Sequence, residues 1–182
     1  MTRRESRAAD LTVIVFEMCQ LRRGPDDMPY SKALFVVLIG ASIVLDVVIG
    51  ALGGGVPDAL SRSLLSTGLL LALCWIALAL RHFGHRYLQT ASALVACSIV
   101  FSLLILPLAW FSGPVPSPPA PLTPVQMLLG WLMLAIVAWN LVVEAHIVRR
   151  ALDAPFALGL ALALAWFVAD LALERALFDA PG

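Results

Sequence analysis

Charge is what this sequence has least of. Lys, Arg, Asp and Glu make up only 13% of its 182 residues, about half the roughly 25% usual in soluble domains. A soluble domain of this size needs polar surface to cover its core, and too little is present. Lysine is nearly missing: Lys32 stands alone among eleven arginines. With heavy Ala and Leu use, that bias points to a GC-rich bacterial genome. The twelve basic and twelve acidic residues cancel, so no bulk field marks a nucleic-acid partner. Cysteine is limited to Cys19, Cys74 and Cys97. An odd number with no CxxC spacing excludes a disulfide framework and leaves small buried hydrophobes. No GxSxG elbow, HExxH helix, phosphate-binding loop or GxGxxG occurs, so a non-enzymatic protein without a cofactor is expected.

What remains is apolar. Hydrophobic residues reach 61% and mean hydropathy is +0.94. A disordered chain would show the opposite balance. Crossing a hydrocarbon layer of about 30 Å takes about 20 helical residues. Five stretches qualify, approximately 33–53, 64–80, 88–110, 126–143 and 154–173. None alternates with period two, as strands of an outer-membrane barrel would. The expected fold is therefore an all-α integral membrane protein. It would be a five-helix transmembrane bundle over residues 33–182, preceded by a cytoplasmic segment, 1–32.

The connections fit that division. Gly53-Gly54-Gly55 with Pro57 breaks the first hairpin, and Arg81, His82, Gly84, His85 and Arg86 make the second connection. The stretch Ser112–Pro124 is proline-rich, uncharged and expected to be polyproline-like. Arg149, Arg150 and Asp153 form the fourth connection, with Pro155 near the first turn of the last helix. Six basic residues precede the first span, and the second and fourth connections bring that side to ten. The other side has Arg62 and Arg175. The positive-inside rule then predicts a bacterial inner-membrane protein with its N-terminus in the cytoplasm and its C-terminus in the periplasm. Glu17 interrupts the first apolar run, so no cleavable signal peptide is expected.

Leu11–Leu21 reads LTVIVFEMCQL. Asp10 is a plausible N-cap, and Asp10, Glu17 and Gln20 fall on one narrow polar stripe of an otherwise apolar helix. Too short to span, it is expected to lie amphipathically in the cytoplasmic interface or dock on the bundle; a dedicated partner protein is the alternative. Gly24–Pro29 then forms a rigid turn.

Charged residues within spans are costly and mark sites by default. Asp46 lies in the outer half of the first span. Asp170 lies near the outer end of the last, with Glu174 one turn later. Asp46 and Asp170 are predicted to meet, with Arg62 or Arg175 to neutralise them, as a proton- or cation-binding pair or as a structural one. Asn140 and Glu144 share a face of the fourth span. His82, His85 and His146 with Glu144 suit a divalent metal chemically. The preferred reading is that Arg81, His82, His85, Arg86, His146, Arg149 and Arg150 grip anionic headgroups, with no metal bound. Ala157, Ala161, Ala165 and Ala169 recur every four residues as a small-residue seam, for packing within the bundle or in a homo-oligomer.

Three stretches carry a resemblance: LRRGPDDMPYS (Leu21–Ser31), RYLQTASAL (Arg86–Leu94) and WNLVVEAHIVRRAL (Trp139–Leu152). Together they are similar to bacterial members of the Yip family of Ypt/Rab-interacting membrane proteins, over nearly the whole chain. The resemblance implies five spans and a cytoplasmic N-terminus. Eukaryotic relatives are implicated in membrane traffic and bind small GTPases. The expected role is a non-catalytic membrane organiser, adaptor or accessory subunit, working with the lipid bilayer and with a membrane-protein partner held by the N-terminal segment. The alternative is a small transporter or channel using Asp46 and Asp170.

Overall fold

Water cannot satisfy backbone groups in lipid, so long apolar runs must become helices there. The computed structural model describes residues 3–52, 56–112 and 123–178, which are helical with no strand among them. The helices are α1 (Arg3–Cys19), α2 (Lys32–Leu52), α3 (Val56–Leu80), α4 (Tyr87–Ser112), α5 (Pro124–Ala151) and α6 (Phe156–Phe178). All of α2 to α6 are long and apolar enough to cross a membrane, the shortest span at 21 residues, or about 32 Å. The glycine triplet 53–55 and the proline-rich stretch 113–122 lie outside the described residues.

Two helices run further than apolarity alone predicts. α3 begins before Ser61-Arg62-Ser63, and α5 continues through Glu144, His146 and Arg149 to Ala151. In both, the polar residues that end the apolar run find partners inside the bundle, so the backbone stays helical. At its start α5 is closed by a capping box: Gln126 N–H donates to Thr123 Oγ1 and Thr123 N–H donates to Gln126 Oε1. Pro124 takes the first position, where its missing donor costs nothing.

The helices form a ring. α2 packs on α3 and α4, α3 reaches α6, α6 packs on α5, and α5 closes onto α4. Outward faces are apolar: Trp110 and Phe111 are 70% and 77% exposed, and Leu80, Trp131 and Val36 are similarly open. This is the pattern of a bundle whose surroundings are hydrocarbon.

α1 starts eight residues before the apolar stretch that announces it. Asp10 therefore sits inside the helix rather than capping it. Val15, Met18 and Cys19 are buried against the bundle, Leu11 and Ile14 pack beside them, and Val13 and Phe16 remain exposed. The three cysteines are free and buried. Cys97 of α4 reaches Cys19, and its hydrogen bond holds the Cys19 thiol below the ordinary thiol range.

α1, α3 and α5 all end in the same way, at one end of the bundle. Leu21, His82 and Asp153 take positive φ of 63°, 60° and 47°. After each, the next amide reaches back five residues: Arg22 N–H to Glu17 O, Phe83 N–H to Leu78 O, and Ala154 N–H to Arg149 O. These are Schellman endings built without glycine.

The close approach of α6 to α5 is made by Gly159, not by the alanine seam. Ala157, Ala161 and Ala165 are exposed, whereas Gly159, Ala163 and Trp166 are buried. A Cβ on Gly159 would run into the Ala145 carbonyl oxygen and lie 2.9 Å from Arg149 Cβ. Gly159→Ala is therefore expected to destabilise the protein by about 1–3 kcal/mol, as overpacking does. Ala161→Leu, facing outward, should change stability little. Thermal unfolding of both variants in detergent checks this, and equal melting would refute the assignment of faces.

Candidate functional site

On four of the long helices a pair of polar residues is spaced by three or four positions, so each pair shares a face. Ser42 and Asp46 do so on α2, Ser63 and Ser66 on α3, Ser98 and Ser102 on α4, Asn140 and Glu144 on α5. These faces turn into the ring. Asp46 accepts from Ser63 Oγ of α3 (3.2 Å) and Ser102 Oγ of α4 (3.3 Å). Asp170 accepts from Ser66 Oγ (3.0 Å), and Glu144 from Asn140 Nδ2 (2.7 Å). α3 is thus a hydroxyl-bearing bridge between the carboxyl groups of α2 and α6.

Between these groups lies a cavity of about 280 Å³ lined by all five helices, with Asp46, Glu144 and Asp170 in its wall. The expected meeting of Asp46 and Asp170 is realised as a shared cavity. Each carboxyl is held by its own serine of α3. Glu144 lies about 10 Å in from the Ala151 end of α5, while Asp46 and Asp170 lie about 21 Å from the matching ends of α2 and α6. The carboxyl groups are therefore staged across the bundle. Arg62 pairs with Glu174 (4.0 Å) and stacks on Phe178 at the opposite end. Among the described residues no three His, Cys, Asp or Glu side chains gather closely enough to hold one metal ion.

At the basic end, several groups expected to face headgroups are used by the protein itself. His146 is 2% exposed and cannot be a headgroup contact. The Arg149 guanidinium, which only donates, lies 3.1 Å from His146 Nδ1, so Nδ1 accepts. That leaves the proton on Nε2, which donates to the Arg23 carbonyl at 3.0 Å. Arg81 donates to the Leu152 carbonyl, and Arg86 to the Ala151 carbonyl and to Asp153. Both cap the carbonyl end of α5. His82, His85 and Arg150 are exposed. Trp139 Nε1 donates to the Cys19 carbonyl and Gln89 Nε2 to the Met28 carbonyl. The segments 21–31, 86–94 and 139–152, far apart in the chain, thus meet in one clamp over the end of the bundle.

The hydroxyls Ser42, Ser63, Ser66, Ser98 and Ser102 were not singled out from the sequence, although their spacing of three or four residues was a readable signal. Trp139 and Gln89 gave no such signal. No family model matches the chain. Neither the curated proteins nor the solved structures contain a match to it.

Removing the imidazole in His146→Ala leaves the part-buried Arg23 carbonyl and the Arg149 Nη2 without their hydrogen bonds to it, at a cost of about 1–3 kcal/mol. The N-terminal segment should loosen, and trypsin should cut at Arg22 and Arg23 at least tenfold faster than in the unaltered protein. Timed proteolysis read by mass spectrometry checks this. An unchanged cleavage rate would mean that His146 does not hold the segment.

Proposed function

We propose that this protein is a small multi-pass transporter or channel whose route runs through the central cavity. The observation that carries this reading is the staging of Glu144, Asp170 and Asp46 around one cavity that all five helices line. Ionisable groups within a bilayer are expensive and face bundle interiors or pathways. A purely structural carboxyl needs one partner and no space, whereas these three border an open volume. The positive-end count supports a bacterial inner membrane with the clamp end and N-terminus in the cytoplasm and the C-terminus in the periplasm.

Reconstituted protein should therefore conduct protons or small cations into liposomes holding a pH-sensitive dye. Asp46→Asn and Asp170→Asn should each lower the rate at least tenfold while melting and elution are retained. Liposomes with the unaltered protein that behave as empty ones would overturn the reading.

A second reading, a Yip-type organiser or adaptor, is favoured by one observation: Val13 and Phe16 project from α1 as an unburied apolar edge beside the basic clamp. In that reading α1 lies in the cytoplasmic interface. Partner retention in mild detergent would then survive Asp46→Asn and fail in Val13→Ser with Phe16→Ser. Retention lost only in Asp46→Asn would count against it.

A further inference from the structure

Resting on the transport reading, the geometry points to a specific class of ligand for the cavity: a small organic cation, a protonated amine carried on a compact apolar body. Three observations converge on it.

The first is charge. The wall contains Asp46, Glu144 and Asp170 and no lysine, arginine or histidine. Ionised carboxylates away from water cost several kcal/mol each unless something neutralises them. No basic side chain of the wall does so, which leaves a proton or a positively charged ligand.

The second is the hydrogen-bond inventory. Several donors at the cavity and behind its wall are already committed: Ser63 and Ser102 to Asp46, Ser66 to Asp170, Asn140 Nδ2 to Glu144, and Ser98 to the Val95 carbonyl (2.8 Å). Two acceptors beside them are left over. Asn140 Oδ1 and Asp170 Oδ1 are fully buried atoms with no donor. Both residues line the cavity. A buried acceptor without a donor costs about 1–3 kcal/mol. A ligand whose N–H groups meet these oxygens, once the two side chains turn toward it, removes that cost, whereas a carboxylate brings no donor and is repelled.

The third is size and wall chemistry. A cavity of about 280 Å³ holds roughly nine waters at about 30 Å³ each, far more than a bare ion needs. The described acidic groups do not converge on a single metal position. Leu70, Leu73, Leu141 and Trp166 also line the cavity, interleaved along α3, α5 and α6 with the polar residues. Apolar atoms of a ligand gain about 25 cal/mol per Å² buried against such side chains, and an indole face attracts a cation. A ligand of few heavy atoms, cationic at one end and apolar at the other, matches a cavity of mixed lining.

The test is titration calorimetry on the full chain in detergent with three probes of similar shape, benzylammonium, benzyl alcohol and benzoate, and with sodium ion as a bare cation. Benzylammonium should bind at least tenfold tighter than benzyl alcohol, and benzoate should not saturate. Asp170→Asn and Glu144→Gln should each weaken benzylammonium at least tenfold with melting and elution unchanged. The comparison among probes needs no variant, so it stands even if a variant fails to fold. Equal affinity for benzylammonium and benzyl alcohol, sodium binding with no benzylammonium binding, or affinity unmoved in both variants would each overturn the assignment. Liposomes that pass protons while the protein ignores benzylammonium would overturn the ligand and keep the transport reading. Binding without flux would keep the ligand and end the transport reading.

Discussion

Lipid offers no hydrogen bonds, and from that single constraint most of this molecule follows. Each polar side chain placed in a span must find its partner on a neighbouring helix or on its own backbone, since no solvent is there to substitute. The helices answer by carrying their polar residues in pairs on one face and turning those faces together. Ser63 and Ser66 are decisive because they sit on α3, between α2 and α6, and donate to a carboxyl on each side. The ring closes through these bonds as well as through apolar packing. A space remains inside because serine, asparagine and carboxyl groups bond at their tips and leave volume that leucine would fill.

The same constraint works differently at the basic end. Three helices end there in Schellman turns that bond part of their last carbonyls, and the endings are built on leucine, histidine and aspartate rather than glycine. Arginine is suited to such carbonyls because its planar guanidinium presents several donors at once. Arg81 and Arg86 close the end of α5 from the α3–α4 connection, so the two connections are locked together. Trp139, His146 and Gln89 hold the segment after α1 by its backbone carbonyls. Backbone recognition of this kind fixes where a segment runs whatever its side chains are, which is how a chain with few charges positions its N-terminal region.

How far the sequence discloses this depends on the range of the interaction concerned. Five spans and the segregation of basic residues are local, additive properties, so they could be read directly. The lengths of α3 and α5 could not, because Arg62 looks like a span end until its partners on α6 are known, and Glu144 until its place in the cavity wall is. The alanine seam shows the same limit from another side. A four-residue spacing says that Ala157, Ala161 and Ala165 share a face, but only the neighbouring helix decides whether that face is inside. Here Gly159, two residues on from Ala157, takes the contact with Ala145 and turns the seam outward. Asp46, Asp170, Asn140 and Glu144, which line the cavity, stand out as candidates in the sequence because a polar group in a span is conspicuous alone. The serines around them were not, because one hydroxyl in a helix can bond its own backbone and need signify nothing.

A last point concerns what the chain does not do with its arginines. Neutralising Asp46 would require little: Arg62 immediately precedes Ser63, the residue that donates to Asp46. A helix turns about 100° per residue, so exchanging these two residues would point a guanidinium toward that carboxyl. The chain instead sends Arg62 toward Glu174 and Phe178 at the end of the bundle and puts a hydroxyl against Asp46. A hydroxyl orients a carboxyl without cancelling its charge; a guanidinium would do both. Basic groups thus stand at the two ends and acidic groups in the middle, with serines keeping the acids in place. Such an arrangement stores an interior that attracts positive charge, and a bundle needing only cohesion would gain more by pairing the charges or by replacing them with leucine.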